Sequence, residues 1–133
     1  LDANGLAGER HTSVCGDGRR HLGRLGADER FDGIVIDPPT AAAAGRQFWS
    51  VRRDLAPLVA TALQRLAPGG ILLVARNDRG ARGAVAGLVQ EAAIRAAVRL
   101  HRVDPAPPGS DFPRLPGFPE GDPFDGALAV LRR

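Results

Sequence analysis

The 133-residue chain has no methionine, no tyrosine and no lysine, and it holds one cysteine and one tryptophan. A single Cys15 excludes an internal disulfide and any cysteine cluster around a metal, which matches a reducing setting and an expected cytoplasmic location. No apolar run reaches the roughly 18 residues that a membrane-spanning helix needs, and no charged-then-apolar leader opens the chain. Without methionine and starting at Leu1, the sequence reads as part of a longer translation product. Arginine supplies every basic side chain, which accords with a GC-rich coding bias; selection for bidentate phosphate contacts is the other reading. A net charge of +3 is by itself a weak nucleic-acid signal.

What remains is the composition of one globular domain. With 44% hydrophobic and 25% charged residues, the chain excludes wholesale disorder, collagen and coiled coil. Its length suffices for one core and not for two.

Periodicity gives the order of elements. Residues 12–16 (TSVCG) read as a short strand, with Cys15 a buried, inert thiol, followed by a small helix carrying Leu22 and Leu25. Residues 31–36 (FDGIVI) are nearly all apolar and stop at Asp37-Pro38-Pro39, which predicts a strand buried on both faces. An Ala/Gly-rich loop at 41–46 leads into a helix over about 50–66, in which Leu55, Leu58, Val59, Ala62, Leu63 and Leu66 recur at helical spacing. Ala67-Pro68-Gly69-Gly70 ends it, and Ile71 to Ala75 form a second buried strand, so that strand, helix and strand imply a parallel crossover. A helix at about 82–97 and strands at 98–103 and 126–131 complete the pattern, with a Pro/Gly-rich loop at 105–123. The result is an open α/β sheet whose last two strands, joined without a helix, suit an antiparallel edge pair.

In such sheets ligands sit beyond the carboxyl ends of the parallel strands, which puts Asp17, Asp37 to Thr40, and Arg76 to Gly80 on one rim. Two prolines after Asp37 stiffen the backbone, and rigid acceptors at a rim suit the positioning of a planar base or exocyclic amine; an ordinary strand-ending turn explains the same residues. Asp17 reads either as a helix cap or as an acceptor for an amino or hydroxyl group. Arg76, Asn77 and Arg79 present two guanidiniums and an amide to the cleft, or form a solvated turn. Trp49 either packs the following helix or stacks on a base. His11, His21 and His101 match no metal spacing and read as surface positions, so no metal is expected.

Together these residues resemble the class I S-adenosylmethionine-dependent methyltransferases, and among them the RlmKL and RlmI-like ribosomal RNA large-subunit group. The resemblance is carried by Asn4-Gly5-Leu6, Gly16-Asp17, Phe31-Asp32 through Asp37-Pro38-Pro39-Thr40, Phe48 with Val51-Arg52-Arg53-Asp54, Pro68-Gly69-Gly70, Asn77 with Arg79-Gly80, and Asp111-Phe112. It implies a partial Rossmann-like methyltransferase sheet with an antiparallel C-terminal edge strand, residues 1–133 being the C-terminal portion of one catalytic domain. It further implies methyl transfer from S-adenosylmethionine to a ring nitrogen of guanine in large-subunit RNA. Asp17, Gly18 and Asp37 would then bind the cofactor, and Asp37, Pro38, Pro39 and Thr40 would form the catalytic floor. Arg53, Asn77, Arg79 and Phe112 would meet the RNA. The family's Gly-rich cofactor turn and a second acidic residue would precede Leu1, so this stretch is expected to bind cofactor weakly when alone. A sister group attacks carbon-5 of cytosine with a cysteine placed near Asn77, where this chain has none. A methyltransferase of small molecules or protein, or a non-catalytic RNA-binding relative, are the alternatives.

Overall fold

The computed structural model describes residues 2–6, 8, 11–44, 47–77, 84–111, 117 and 124–133. After a 3-10 turn at Asp2–Asn4, the elements are α1 (Gly18–Arg24), β1 (Phe31–Ile36), β2 (Ala41–Ala44), β3 (Gln47–Ser50), α2 (Val51–Leu63), β4 (Leu66–Asn77), α3 (Ala84–Arg95), β5 (Leu100–Pro105) and β6 (Phe124–Leu131). Four of the strands form one sheet in the order β1-β4-β6-β5.

β1 and β4 pair in parallel, as the strand-helix-strand pattern predicts, and β6 runs antiparallel to both of its neighbours. The antiparallel pair is present, but β6 lies between β4 and β5, so β5 and not the C-terminal strand takes the edge. Its small residues suit that inner place, because Ala127 and Ala129 are buried where α3 packs on the sheet.

Helices α2 and α3 cover one face. There Leu55, Val59 and Leu63 of α2 and Val85, Val89 and Ala92 of α3 join Leu72 and Val74 of β4 in a fully buried cluster. Each such leucine or valine contributes about 1.5–3 kcal/mol of transfer free energy. The pleat turns alternate residues the other way, and there Val35 is 70% exposed. FDGIVI is therefore not buried on both faces as its composition suggests; Ile36 is its one buried residue, because among the described residues β1 is an edge strand and the helices cover a single face.

Two further expectations fail. Residues 12–16 form no strand: they are irregular and exposed, Val14 by 58%. A strand needs a neighbour for its main-chain groups, and no described strand lies alongside. Cys15 is exposed for the same reason, not buried. The loop expected at 41–46 is largely a hairpin, with Ala41 opposite Ser50 and Ala42 opposite Trp49. Alanine favours strands poorly, so its run gives no strand signal; Phe48 and Trp49 on the partner strand supply it.

The Pro68-Gly69-Gly70 segment is a bulge inside β4 and not a break before it. Pairing steps from Phe31 with Leu66 to Gly33 with Ile71. Gly69 has φ +80. A Cβ on Gly70 would lie 2.9 Å from the Ala67 carbonyl oxygen and 3.2 Å from those of Phe31 and Asp32, so only glycine lets the strands close. Of the loop at 105–123, residues 106–111 are irregular and most of the rest lies outside the described residues.

Candidate functional site

The segment entering α1 and the segment leaving β1 come together in a cleft of about 500 Å³. Gly16, Asp17, Gly18 and Arg19 line it on one side and Pro38 and Pro39 on another; Ala42 and Trp49 of the hairpin and Leu58 of α2 complete the walls. The volume suits a small organic ligand, and the apolar lining with one carboxylate is the usual make-up of such a site.

Asp17 proves to be both cap and cleft residue. It is the N-cap of α1 and accepts from the Arg19 main-chain N–H at 2.9 Å. Its two oxygens also accept from Arg19 Nε at 3.1 Å and Nη2 at 2.7 Å. The Arg19 side-chain hydrogen bonds hold the Asp17 carboxyl down to about 2 against an ordinary 3.8, so it is an ionised acceptor at neutral pH. Gly18 follows at the first position of α1, with open space where a Cβ would stand, so its main chain is approachable from the cleft.

The Asp37 to Thr40 segment is fastened at three points. The Trp49 indole N–H donates to the Pro39 carbonyl at 2.7 Å. The Thr40 hydroxyl donates to the Asn77 carbonyl at 2.6 Å, tying the end of β1 to the end of β4. The Thr40 carbonyl accepts from Val51 N at 3.0 Å, which satisfies one of the orphan donors at the start of α2. The stiffness expected from the two prolines is thus reinforced, while the carbonyl of the second is used internally and not offered to a ligand. Asp37 is exposed and Pro38 half-buried at the cleft.

A second ionic cluster stands beside the first. Asp54, in the first turn of α2, accepts from Ser50 N at 2.8 Å and from Arg53 Nε and Nη2 at 2.9 and 2.8 Å. The Arg53 hydrogen bonds, followed by that of Ser50, lower its carboxyl to about 2. Arg19 Nη1 lies 3.9 Å from Asp54, so the pairs Asp17–Arg19 and Asp54–Arg53 adjoin. Arg53 also donates to the Phe48 carbonyl at 2.6 Å and sits 5.9 Å from the centre of the Phe48 ring, with its side chain 62% exposed. A smaller hollow of about 280 Å³ lies between Asp17, Arg19, Arg20 and Phe48.

The rim expected from the sequence is therefore assembled in part. Asp17, Gly18, Pro38 and Pro39 share the cleft; Thr40 and Asn77 are joined behind it. Arg76 is not at the rim: it is buried with its Nη2 3.5 Å from Asp125, whose carboxylate also accepts from Ala84 N and Val85 N at the start of α3. Arg79 and Phe112 lie outside the described residues. Arg19 and Asp54 were not anticipated as site residues, although Asp-x-Arg at a helix start and the adjacent Arg53-Asp54 pair were visible as signals. Trp49 is buried, 7% exposed, and packs at the cleft; it is not a free stacking platform. Among the described residues no group of three His, Cys, Asp or Glu is placed to hold a metal, and no helix is long and apolar enough to cross a membrane.

The geometry is that of a largely apolar cleft with one carboxylate, at the carboxyl end of a parallel strand in an α/β sheet. Solved structures share the fold: SMU.776, a proposed methyltransferase in complex with SAH, superposes with a TM-score of 0.70 at 20% identity, covering 98% of this chain and 34% of that one. The SAM-dependent methyltransferase from Agrobacterium tumefaciens gives 0.58 at 16% identity over 90% of this chain and 39% of that one. The chain has the fold of these methyltransferases. In sequence it is similar to the ribosomal RNA large subunit methyltransferase K/L of Allochromatium vinosum, 30% identical over 81 residues, which are 59% of this chain. The match spans 11% of that relative's length, and the chain spans about a third of the SAH-bound structure. No family model matches the chain. The methyltransferase fold read from the sequence motifs is thus found in the structure, and the RlmKL resemblance recurs in this relative.

Proposed function

We propose that the chain belongs to an S-adenosylmethionine-dependent methyltransferase acting on ribosomal RNA, at a guanine ring nitrogen of the large-subunit RNA. The observation that carries this reading is the meeting of Asp17 with Pro38 and Pro39 in one cleft. Residues from separate segments supply a charged wall and a rigid floor, as transfer between two bound molecules requires. The RlmKL-like sequence supports the RNA substrate.

The residues present fit the adenosyl end of the cofactor. Pro38, Pro39, Trp49 and Leu58 offer apolar surface to a purine. Asp17, ionised and with acceptor capacity beyond the bonds from Arg19, suits an exocyclic amine. Gly16 and Gly18 bring main chain to the ligand without side chains in the way. S-adenosylmethionine, when bound, supplies the methyl group. Asp37, Pro38, Pro39 and Thr40 form the floor that orients the target base, and the apolar walls keep water out. Guanine N7 carries a free lone pair, so the site needs no general base, and none of the described residues lining the cleft is His, Cys or Lys. Arg53 and Asn77, with Arg79 and Phe112, would hold the RNA, arginines being suited to phosphate oxygens.

The test uses the protein that carries these residues, with methyl-labelled S-adenosylmethionine and large-subunit RNA. Label is expected in guanine, and Asp37→Ala should lower the rate by about a hundredfold, the scale of loss when a reacting group is misplaced. Label in a small molecule and in no RNA overturns the substrate; an Asp37→Ala protein as fast as the parent overturns the floor.

A further inference from the structure

We infer that Trp49 is a positioning residue that sets both sides of the cleft at once, its indole N–H holding the floor and its ring face the wall. The inference rests on the methyl-transfer reading above. Trp49 sits on β3 opposite Ala42 and is almost fully buried. A buried indole N–H requires an acceptor, and this one uses the Pro39 carbonyl at 2.7 Å. Proline has a fixed φ, so the remaining freedom at Pro39 is rotation about ψ, and the direction of its carbonyl reports that rotation. Holding the carbonyl holds the peptide plane between Pro39 and Thr40. Thr40 is then placed to donate to the Asn77 carbonyl and to accept from Val51 N.

The ring face does the second task. The Arg19 guanidinium lies 5.3 Å from the ring centre, within range of a cation–π contact. That guanidinium is also the side-chain partner of Asp17. One side chain thus links Asp17 to Pro39 across the cleft, and neither a phenylalanine nor a histidine reproduces both contacts. The two roles separate chemically: the N–H governs the floor, and the ring governs the wall.

Trp49 is the one tryptophan of these 133 residues, and in the protein that carries them 3-benzothienylalanine is placed at this position alone by site-specific incorporation; it keeps the bicyclic outline and replaces N–H by sulfur. In that protein the Val51 amide is expected to exchange with solvent about tenfold faster, as for one lost hydrogen bond of the network, with the Val59 amide unchanged. SAH affinity by calorimetry should be preserved because the ring still carries Arg19. The turnover number should fall about tenfold while the KM for RNA holds, because only the floor's orientation is lost. Trp49→Ala, which removes the ring, should weaken SAH as well. Unchanged Val51 exchange and turnover in the benzothienyl protein overturn the inference, as does loss of SAH affinity equal to that of Trp49→Ala. If the unsubstituted protein neither binds SAH nor transfers methyl, the functional reading fails, and Val51 exchange still decides whether Trp49 sets the floor.

Discussion

Asp17 and Asp54 show how much of the site is local electrostatics. Each carboxylate faces a guanidinium close in sequence; Asp17 caps α1, and Asp54 in the first turn of α2 accepts from the main chain of the N-cap residue Ser50. Their folded pKa values, about 2, lie below the ordinary 3.8, so the ionised form is favoured in the fold. Stabilisation from these groups is therefore fully present above pH 3.8 and disappears as pH falls toward 2. Carboxyl carbon NMR should give midpoints near 2 for both, and Arg19→Gln should move the Asp17 midpoint up toward 3.8 and the Asp54 midpoint up by less, since Arg53 stays in place there; a parent Asp17 midpoint already at 3.8 would contradict the pairing. Of the two roles the sequence leaves open for Asp17, the fold shows the helix cap and sets the same carboxylate at the cleft. The indole bond of Trp49 is hidden in the sequence, because it depends on a hairpin that returns Trp49 to Pro39, ten residues back, and that an alanine run conceals.

At the scale of elements, what the sequence displays is what one chain segment can determine alone. FDGIVI and ILLVA are strands by composition, and their parallel pairing follows from the helix between them. Residues 12–16 show the converse, since a strand exists only with a partner. Helix ends are also hidden: α3, expected to run to 97, stops at Arg95 in a turn where Val98 N donates to Ala93 O at 3.0 Å and Ala97 N to Ile94 O at 3.1 Å. That is a Schellman closure, which calls for a residue with positive φ, and Ala97 supplies it at φ +54 where glycine is customary. The left-handed conformation costs an L-residue roughly 1–2 kcal/mol. Ala97→Gly should therefore raise stability by about 1 kcal/mol in urea unfolding, after the entropy that glycine adds to the unfolded chain is deducted. A loss of stability would show that Ala97 is not strained.

Among the described residues the helices cover the sheet from one side. Both large helices lie on the same face of the four-stranded sheet, and over Ile34 to Ile36 and Ile71 to Val74 burial alternates from one residue to the next. Leu72 is packed, with no exposed surface; Val35 is open, 70% exposed. They sit on adjacent strands, Val35 opposite Leu73, so strand propensity and distance from the cleft are nearly matched and only the face differs. Sequence composition makes them equivalent, since both lie in unbroken apolar runs, which is why burial on both faces was the natural expectation for β1. The structure makes them unequal. Leu72→Ala should cost about 2–5 kcal/mol, the loss of a leucine from a closed cluster with a cavity left behind. Val35→Lys should change stability by no more than about 0.5 kcal/mol, as for other surface positions. Urea unfolding of both variants with unchanged m-values separates them; a loss at Val35 as large as at Leu72 would mean that the second face is packed in solution, and the one-sided architecture would then be wrong.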